Sequence, residues 1–244
     1  MNKKILIIGG TGFLGYHLAK KCLLKRWKVT SISTNKPKKI RFLKKVKYLI
    51  LDITKKKHIL KKISSDYDFV VNFGGYVNHS EKSKTYKSHY IGCKNLADIF
   101  KDRKIKSFIQ IGSSVEYGNL KSPQKESSKT DVNKLKSTYG KAKLMATNYL
   151  LKLNKEYNFP CTILRLYLVY GTHQDKNRLI PHTLSECLND NVFDCSAGKQ
   201  YRDFLFVDDL MTAIFKCFYN KESRGEIMNI GTGKPNNIKK VILF

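Results

Sequence analysis

Tyr139 and Lys143 stand four residues apart in STYGKAK, a stretch with helical patterning, so both project from one helix face. A phenol ionises at about pH 10 and is a poor base at neutral pH. An ammonium held beside it, with the positive charge of an oxidised nicotinamide, favours the phenolate. Ser113 closes the buried-type run SFIQIGSS, where a strand end would present a hydroxyl to a reacting oxygen. Together the three suit hydride transfer at a carbinol or ketone carbon: Tyr139 exchanges the proton and a nicotinamide the hydride. The plain alternative is an exposed Tyr–Lys pair in a chain that carries 47 Lys and Arg.

Such chemistry needs a cofactor cradle, and KKILIIGGTGFLGYHL at residues 3–18 supplies one. Gly9, Gly12 and Gly15 recur every third residue between an apolar run and an amphipathic stretch. The first glycine permits a tight turn, the second lets backbone approach a pyrophosphate, and the third allows close helix–strand packing. The helix start adds free N–H groups and partial positive charge for the anion. In the NAD version of this site a carboxylate ends the second strand and holds the ribose. Here that place reads SISTNKPKK, with Ser33, Thr34, Asn35 and Lys36 and no acid, which favours NADP over NAD as cofactor. Asp52 in LILDI, expected to end the third strand, either reaches the adenine amino group or caps the helix ahead of TKKKHIL.

The elements that must position these groups alternate along the chain. ILIIG, KVTSIS, VKYLILD, YDFVVNF, SFIQIGS and CTILRLYLVYG read as buried strands. Helical patterns fall between them near 13–26, 55–64, 84–102 and 137–156, and later near 178–190 and 208–220. The alternation predicts an α/β, Rossmann-type doubly wound parallel sheet, with ligands beyond the strands' C-terminal ends. Residues 1–170 are expected to form the dinucleotide-binding domain. Residues 171–244 are expected to form a small C-terminal substrate-binding lobe that reads as truncated, with some elements interleaved.

The chain of 244 residues is 41% apolar, with 14 Tyr and 13 Phe, as a folded domain requires. Its formal charge of +28 suits anionic partners, but lysine is spread through nearly every segment instead of forming one stripe. A nucleic-acid partner is therefore not expected. The six cysteines stand far apart without ligand-like spacing, so reduced thiols are expected, and no metal site. No signal-peptide pattern and no membrane-span-length apolar run occur, so a cytoplasmic protein without membrane attachment is expected.

Taken together, these motifs resemble the extended short-chain dehydrogenase/reductases, in particular the NAD-dependent epimerase/dehydratase branch that acts on nucleotide sugars. GGTGFLG is similar to that family's cofactor loop, VVNFGGYV to its fourth-strand segment, GSSVEYG to its serine segment and YGKAK to its catalytic helix. ILRLYLVYG and RDFLFVDDL resemble later signatures. The resemblance implies Ser113, Tyr139 and Lys143 as catalytic residues. It implies cofactor contacts from Gly9, Gly12, Phe13, Leu14, Gly15 and Ser33, and from Asp52, Ile53, Gly74, Tyr139 and Lys143. Arg202 is implied as a clamp for the substrate diphosphate, with an ion pair to Asp203 or Asp208 as the alternative. Tyr167 is placed near the nicotinamide or in the core, and Asn95 in a stabilising role. A nucleotide-activated sugar substrate and a homodimer are the further family expectations.

Departures from the pattern are specific. Gly74 and Gly75 stand where alanines are usual, His89 where Asn is frequent, and Leu168 where Asn commonly contacts phosphate. The glycine of YGTH lacks its customary following proline. The serine segment lacks the adjacent Asp–Glu pair of sugar 4,6-dehydratases, which disfavours dehydration. The expected activity is 4-keto reduction or 4-epimerisation of a nucleotide sugar. A catalytically idle dinucleotide-binding protein acting through its basic surface is the alternative.

Overall fold

A computed structural model describes residues 2–63 and 66–243. The first βαβ unit is β1 (Lys4–Ile8), α1 (Phe13–Leu24) and β2 (Lys28–Ser33). There follow β3 (Val46–Ile50), α2 (Lys56–Lys62), β4 (Phe69–Asn72), α3 (Lys82–Tyr86), α4 (Gly92–Phe100), β5 (Ser107–Ser113), α5 (Thr138–Tyr157) and β6 (Cys161–Leu166). The later chain holds β7 (Leu168–Tyr170), α6 (Leu179–Leu188), β8 (Tyr201–Arg202), β9 (Phe204–Phe206), α7 (Val207–Tyr219) and β10 (Ile227–Ile230). It ends in β11 (Asn236–Asn237) and α8 (Ile238–Leu243).

Seven strands form one sheet in the order β10-β6-β5-β4-β1-β2-β3, every pairing parallel. The order reverses at β1, so a crevice opens between β1 and β4, where the glycine loop leaves the sheet. Strand alternation divides the core into two layers. Ile5 and Ile7 pack with Leu18, Cys22, Leu210 and Ile214 of α1 and α7 on one face. Leu6 and Ile8 pack with Leu96, Phe100, Leu150 and Leu153 of α4 and α5 on the other. Each such fully buried aliphatic side chain contributes about 1.5–3 kcal/mol, which is why the pattern decides the layers.

Two expectations need correction. The run CTILRLYLVYG is two strands, not one, because its hydrogen-bond partners change. β6 pairs with β5 and β10, while β7 pairs with β9 in a separate small sheet. The change falls at Tyr167, whose N–H donates to the Ile230 carbonyl (3.3 Å), while the Leu168 N–H donates to the Asp203 carbonyl (3.1 Å). The helix expected over 84–102 is interrupted by a wide π turn at Lys87–Ile91. There the Ser88 hydroxyl donates back to the Thr85 carbonyl (3.2 Å) and accepts from the Tyr76 N–H (2.9 Å), competing with the regular helix bonds.

The segment after residue 170 is not spatially separate. β10 returns to the main sheet beside β6, and α7 covers the α1 side of the core. Among the described residues no helix is long and apolar enough to cross a membrane.

Candidate active site

The glycine loop is tied to the strands it joins. The Gly9 N–H donates to the Ile32 carbonyl (2.7 Å), and the Gly12 N–H donates to the Gly9 carbonyl (3.0 Å). Gly9 has φ +76°, a conformation that glycine adopts without a Cβ penalty. A Cβ on Gly15 would run into the Gly9 carbonyl oxygen and come within 2.5 Å of the Gly10 Cα. The start of α1 therefore lies directly against the turn. No side chain caps α1 and its first turn holds no acid, so the leading N–H groups of Phe13, Leu14 and Gly15 stay available to an anion. That uncapped, side-chain-free cradle fits a dinucleotide pyrophosphate.

Other expected cofactor residues converge on the same edge. A Cβ on Gly9 would meet the Phe73 carbonyl carbon at 3.1 Å and the Gly74 nitrogen at 3.2 Å, so β4's exit flanks the loop. The Ser33 hydroxyl at the end of β2 accepts from the Thr11 N–H (3.3 Å). The Asp52 carboxylate accepts from the Thr54 N–H (2.8 Å), bracing the turn before α2. It does not cap that helix, whose cap position is Lys55. Ile53 is buried beside it, and the Asn95 amide donates to the carbonyls of Ile53 (3.0 Å) and Thr54 (3.1 Å).

Tyr139 and Lys143 enter on α5, which Ser137 caps by accepting from the Gly140 N–H (3.0 Å). Lys143 is buried, and its Nζ donates to the Ile111 carbonyl of β5 (2.6 Å). The same Nζ lies 5.8 Å from the centroid of the Tyr139 ring. One turn away, Gly140 packs against the Val115 carbonyl, so the start of α5 leans on the turn that follows Ser113. That turn is a capping box: the Ser113 N–H donates to Glu116 Oε1 (2.8 Å), and Ser113 Oγ accepts from the Val115 N–H (3.4 Å).

Glu116 is itself fully buried. It accepts from Thr147 Oγ1 (2.8 Å) and from Arg165 Nε (2.9 Å), and the Arg165 guanidinium lies 4.4 Å from the Tyr117 ring centroid. The sole acid of the serine segment is thus a structural bracket beneath Ser113.

Two histidines that sequence reading did not place at the phenol also reach it. His79 stacks on the Tyr139 ring with centroids 4.0 Å apart and planes 13° apart, and His89 meets it edge-on at 4.9 Å. Burial and then Lys143 push His89 down to about 3, and burial, Lys143 and Arg178 lower His79. Both rings are therefore neutral at neutral pH.

On the substrate side the Tyr167 hydroxyl donates to Gln124 Oε1 (3.2 Å), and burial pushes its pKa above the ordinary phenol value. Arg202 is exposed, and among the described residues its side chain bonds only the adjacent Tyr201 carbonyl (2.8 Å). The ion pair weighed for it is not made: Asp203 accepts from Thr232 and Gly233, and Asp208 pairs with Lys21. A further link joins the connection between β2 and β3 to the segment before α6. Buried Arg41 donates to the His173 carbonyl (2.9 and 2.6 Å) and to Asp175 (3.0 Å), which also holds Lys38 (2.8 Å). Lys38 and then Arg41 keep the Asp175 carboxyl below its usual range. An arginine inside the apolar run CTILRLY was the signal available for the Glu116 pair; nothing in local spacing announces the Arg41 link.

A parallel sheet whose switch point carries a glycine cradle, flanked by a Tyr–Lys helix and a strand-end serine, defines a dinucleotide-dependent enzyme class. The chain belongs to the NAD dependent epimerase/dehydratase family, whose model matches residues 5–231. It is 28% identical to a dTDP-D-glucose 4,6-dehydratase of Dictyostelium discoideum, over 94% of this chain and 58% of that protein. It is 25% identical to a dTDP-4-dehydro-6-deoxyglucose reductase of Escherichia coli, over 98% of this chain and 80% of that one. The fold is similar to that of a UDP-glucose 4-epimerase of Thermotoga maritima, with a TM-score of 0.90 at 24% identity, covering 98% of this chain and 80% of that one.

Proposed function

We propose that the chain reduces a 4-keto group on a nucleotide-activated sugar, with Tyr139 as the proton-transferring residue. The observation that carries this is the placement of Tyr139 and buried Lys143 on one face of α5, braced against β5 at Ile111 and the turn after Ser113. A nicotinamide dinucleotide bound in the glycine cradle would supply the hydride. Tyr139 holds or releases the proton on the reacting oxygen, Lys143 favours the phenolate by its charge, and Ser113 hydrogen-bonds that oxygen. Arg202, free of carboxylate partners among the described residues, suits the substrate diphosphate, and exposed Arg178 near His79 adds a second cation.

Dehydration is disfavoured because Glu116, the sole acid next to Ser113, is buried and bonded to Arg165, Thr147 and the Ser113 N–H. NADPH is the favoured donor: Ser33, Thr34 and Asn35 carry no acid, and Lys36 is exposed without an ion pair among the described residues. The same three catalytic groups would serve 4-epimerisation, in which the cofactor stays bound and is regenerated. Residues 1–170 would then hold the cofactor and much of 171–244 the sugar nucleotide, in a cytoplasmic enzyme, with a homodimer as its assembly.

The test is NADPH consumption with 4-keto sugar nucleotides, alongside thermal-shift screening of CDP-, dTDP-, GDP- and UDP-sugars with NAD and NADP separately. Reduction predicts loss of NADPH absorbance; epimerisation predicts dinucleotide that co-purifies and no net consumption. Tyr139→Phe is expected to abolish turnover while retaining cofactor. A Tyr139→Phe protein as active as the parent would count against Tyr139 as the proton-transferring residue, whereas strong nucleic-acid binding at physiological salt with no sugar nucleotide bound would favour the idle, basic-surface reading.

A further inference from the structure

Gly75 looks dispensable in the sequence but is not in space. A Cβ built on it would fall on the His89 ring, against Cε1 and Nδ1 and 2.7 Å from Nε2. His89 is only 6% exposed and lies in the π turn between α3 and α4. Its Nε2 faces the Tyr76 carbonyl at 3.2 Å. A carbonyl only accepts, so Nε2 carries the hydrogen and Nδ1 is a bare acceptor, buried without a partner among the described residues. A neutral imidazole has thus been admitted where a larger residue at 75 would exclude it.

That imidazole is half of a grip on the phenol. His89 meets Tyr139 at 78°, His79 lies nearly parallel to it on a face, and the two imidazoles sit 5.7 Å apart at 72°. Edge-on and stacked contacts together remove the ring's freedom to rock, in the arrangement aromatic quadrupoles favour. Lys143, on the same helix as Tyr139, is then the one buried cation beside the phenol among the described residues.

We propose that His79 and His89 are positioning residues for the Tyr139 phenol, and that Gly75 is the complement that admits the second imidazole. This rests on the reading of Tyr139 as the proton-transferring residue. A misplacement of about 1 Å at a reacting group can cost about a hundredfold in rate, so a loosened phenol should be visible in kcat.

The experiment is a double-mutant cycle of Gly75→Ala and His89→Asn, with His79→Ala in parallel. Each variant is assayed for NADPH-dependent reduction of a 4-keto sugar nucleotide. Each is also examined by NMR of ring-labelled tyrosine, the Tyr139 resonance being assigned by its loss in Tyr139→Phe. Gly75→Ala should lower kcat at least about tenfold in the parent and less than about threefold in the His89→Asn background. His79→Ala should lower kcat with little change in substrate KM and remove the ring-current displacement of the Tyr139 resonance. Equal cost of Gly75→Ala in both backgrounds, or a His79→Ala protein with parental kcat and Tyr139 shift, overturns the proposal. Should Gly75→Ala not fold, His79→Ala decides alone, because that ring is exposed and its loss spares the core. Retained turnover in Tyr139→Phe counts against the proposed reaction instead, and the Tyr139 resonance still reports whether the two imidazoles hold the ring.

Discussion

Lys143 is buried one helical turn from Tyr139, its Nζ 2.6 Å from the Ile111 carbonyl and 5.8 Å from the centroid of the phenol ring. An ammonium has three N–H donors, and the bond to Ile111 uses one while fixing the charge beside the ring. Lys143→Met keeps the aliphatic stem and removes the charge. Turnover should fall by about 10²-fold or more. Steady-state assay of the variant checks this, and a parental kcat would count against a role for Lys143 in the reaction.

The glycine loop makes a steric prediction. Gly15→Ala improves helix propensity, by about 1 kcal/mol at most. Its Cβ, however, would meet the Gly9 carbonyl and the Gly10 Cα at 2.5 Å, both backbone and unable to swing aside. The turn must therefore deform at the place where the N–H groups face the pyrophosphate. Dinucleotide Kd should rise at least about tenfold, read by NADPH fluorescence titration, and the melting temperature should fall because backbone must give way.

Glu116 and Arg165 form an ion pair with both side chains almost wholly out of solvent. Removing one partner strands a buried charge, so Glu116→Gln or Arg165→Met should destabilise by about 3–5 kcal/mol. The double variant should cost less than the sum of the two. Urea unfolding of the four proteins measures both values, and additive losses would show that the pair acts through separate contacts.

Parts of this site were legible in the sequence because they are local. The three-residue spacing of Gly9, Gly12 and Gly15 and the four-residue spacing of Tyr139 and Lys143 are each set by one element, so neighbouring residues reveal them. Strand–helix alternation likewise gives a parallel sheet through general chain handedness. The break at Tyr167 is invisible because apolar residues continue on both sides of it, and only the change of partner from β5 and β10 to β9 marks it. The grip on Tyr139 joins residues 75, 79, 89 and 139, which lie on separate turns and helices; no periodicity links them. His89 is visible as a departure from its family, but the space that Gly75 makes for it exists only in three dimensions.

The neutrality of His89 has a measurable pH signature. Burial, and then the Lys143 charge, depress it from 6.5 to about 3 in the folded protein. Between those values the unfolded chain binds the proton and the folded chain does not, so stability falls as pH drops through this window and is unaffected by His89 above it. The contribution approaches about 1.4 kcal/mol per pH unit for one proton. His17 and His79 are lowered too and add to the parental slope, burial being the first cause for each. His89→Asn should therefore make the acid-side loss of stability shallower by about one proton, measured by urea unfolding between about pH 4 and 7. Parent and variant with the same slope would mean that His89 takes up its proton while the protein is still folded. Lys143→Met supplies the companion measurement: without the neighbouring cation, His89 should protonate at higher pH, and the fall in stability should begin to level off sooner on acidification.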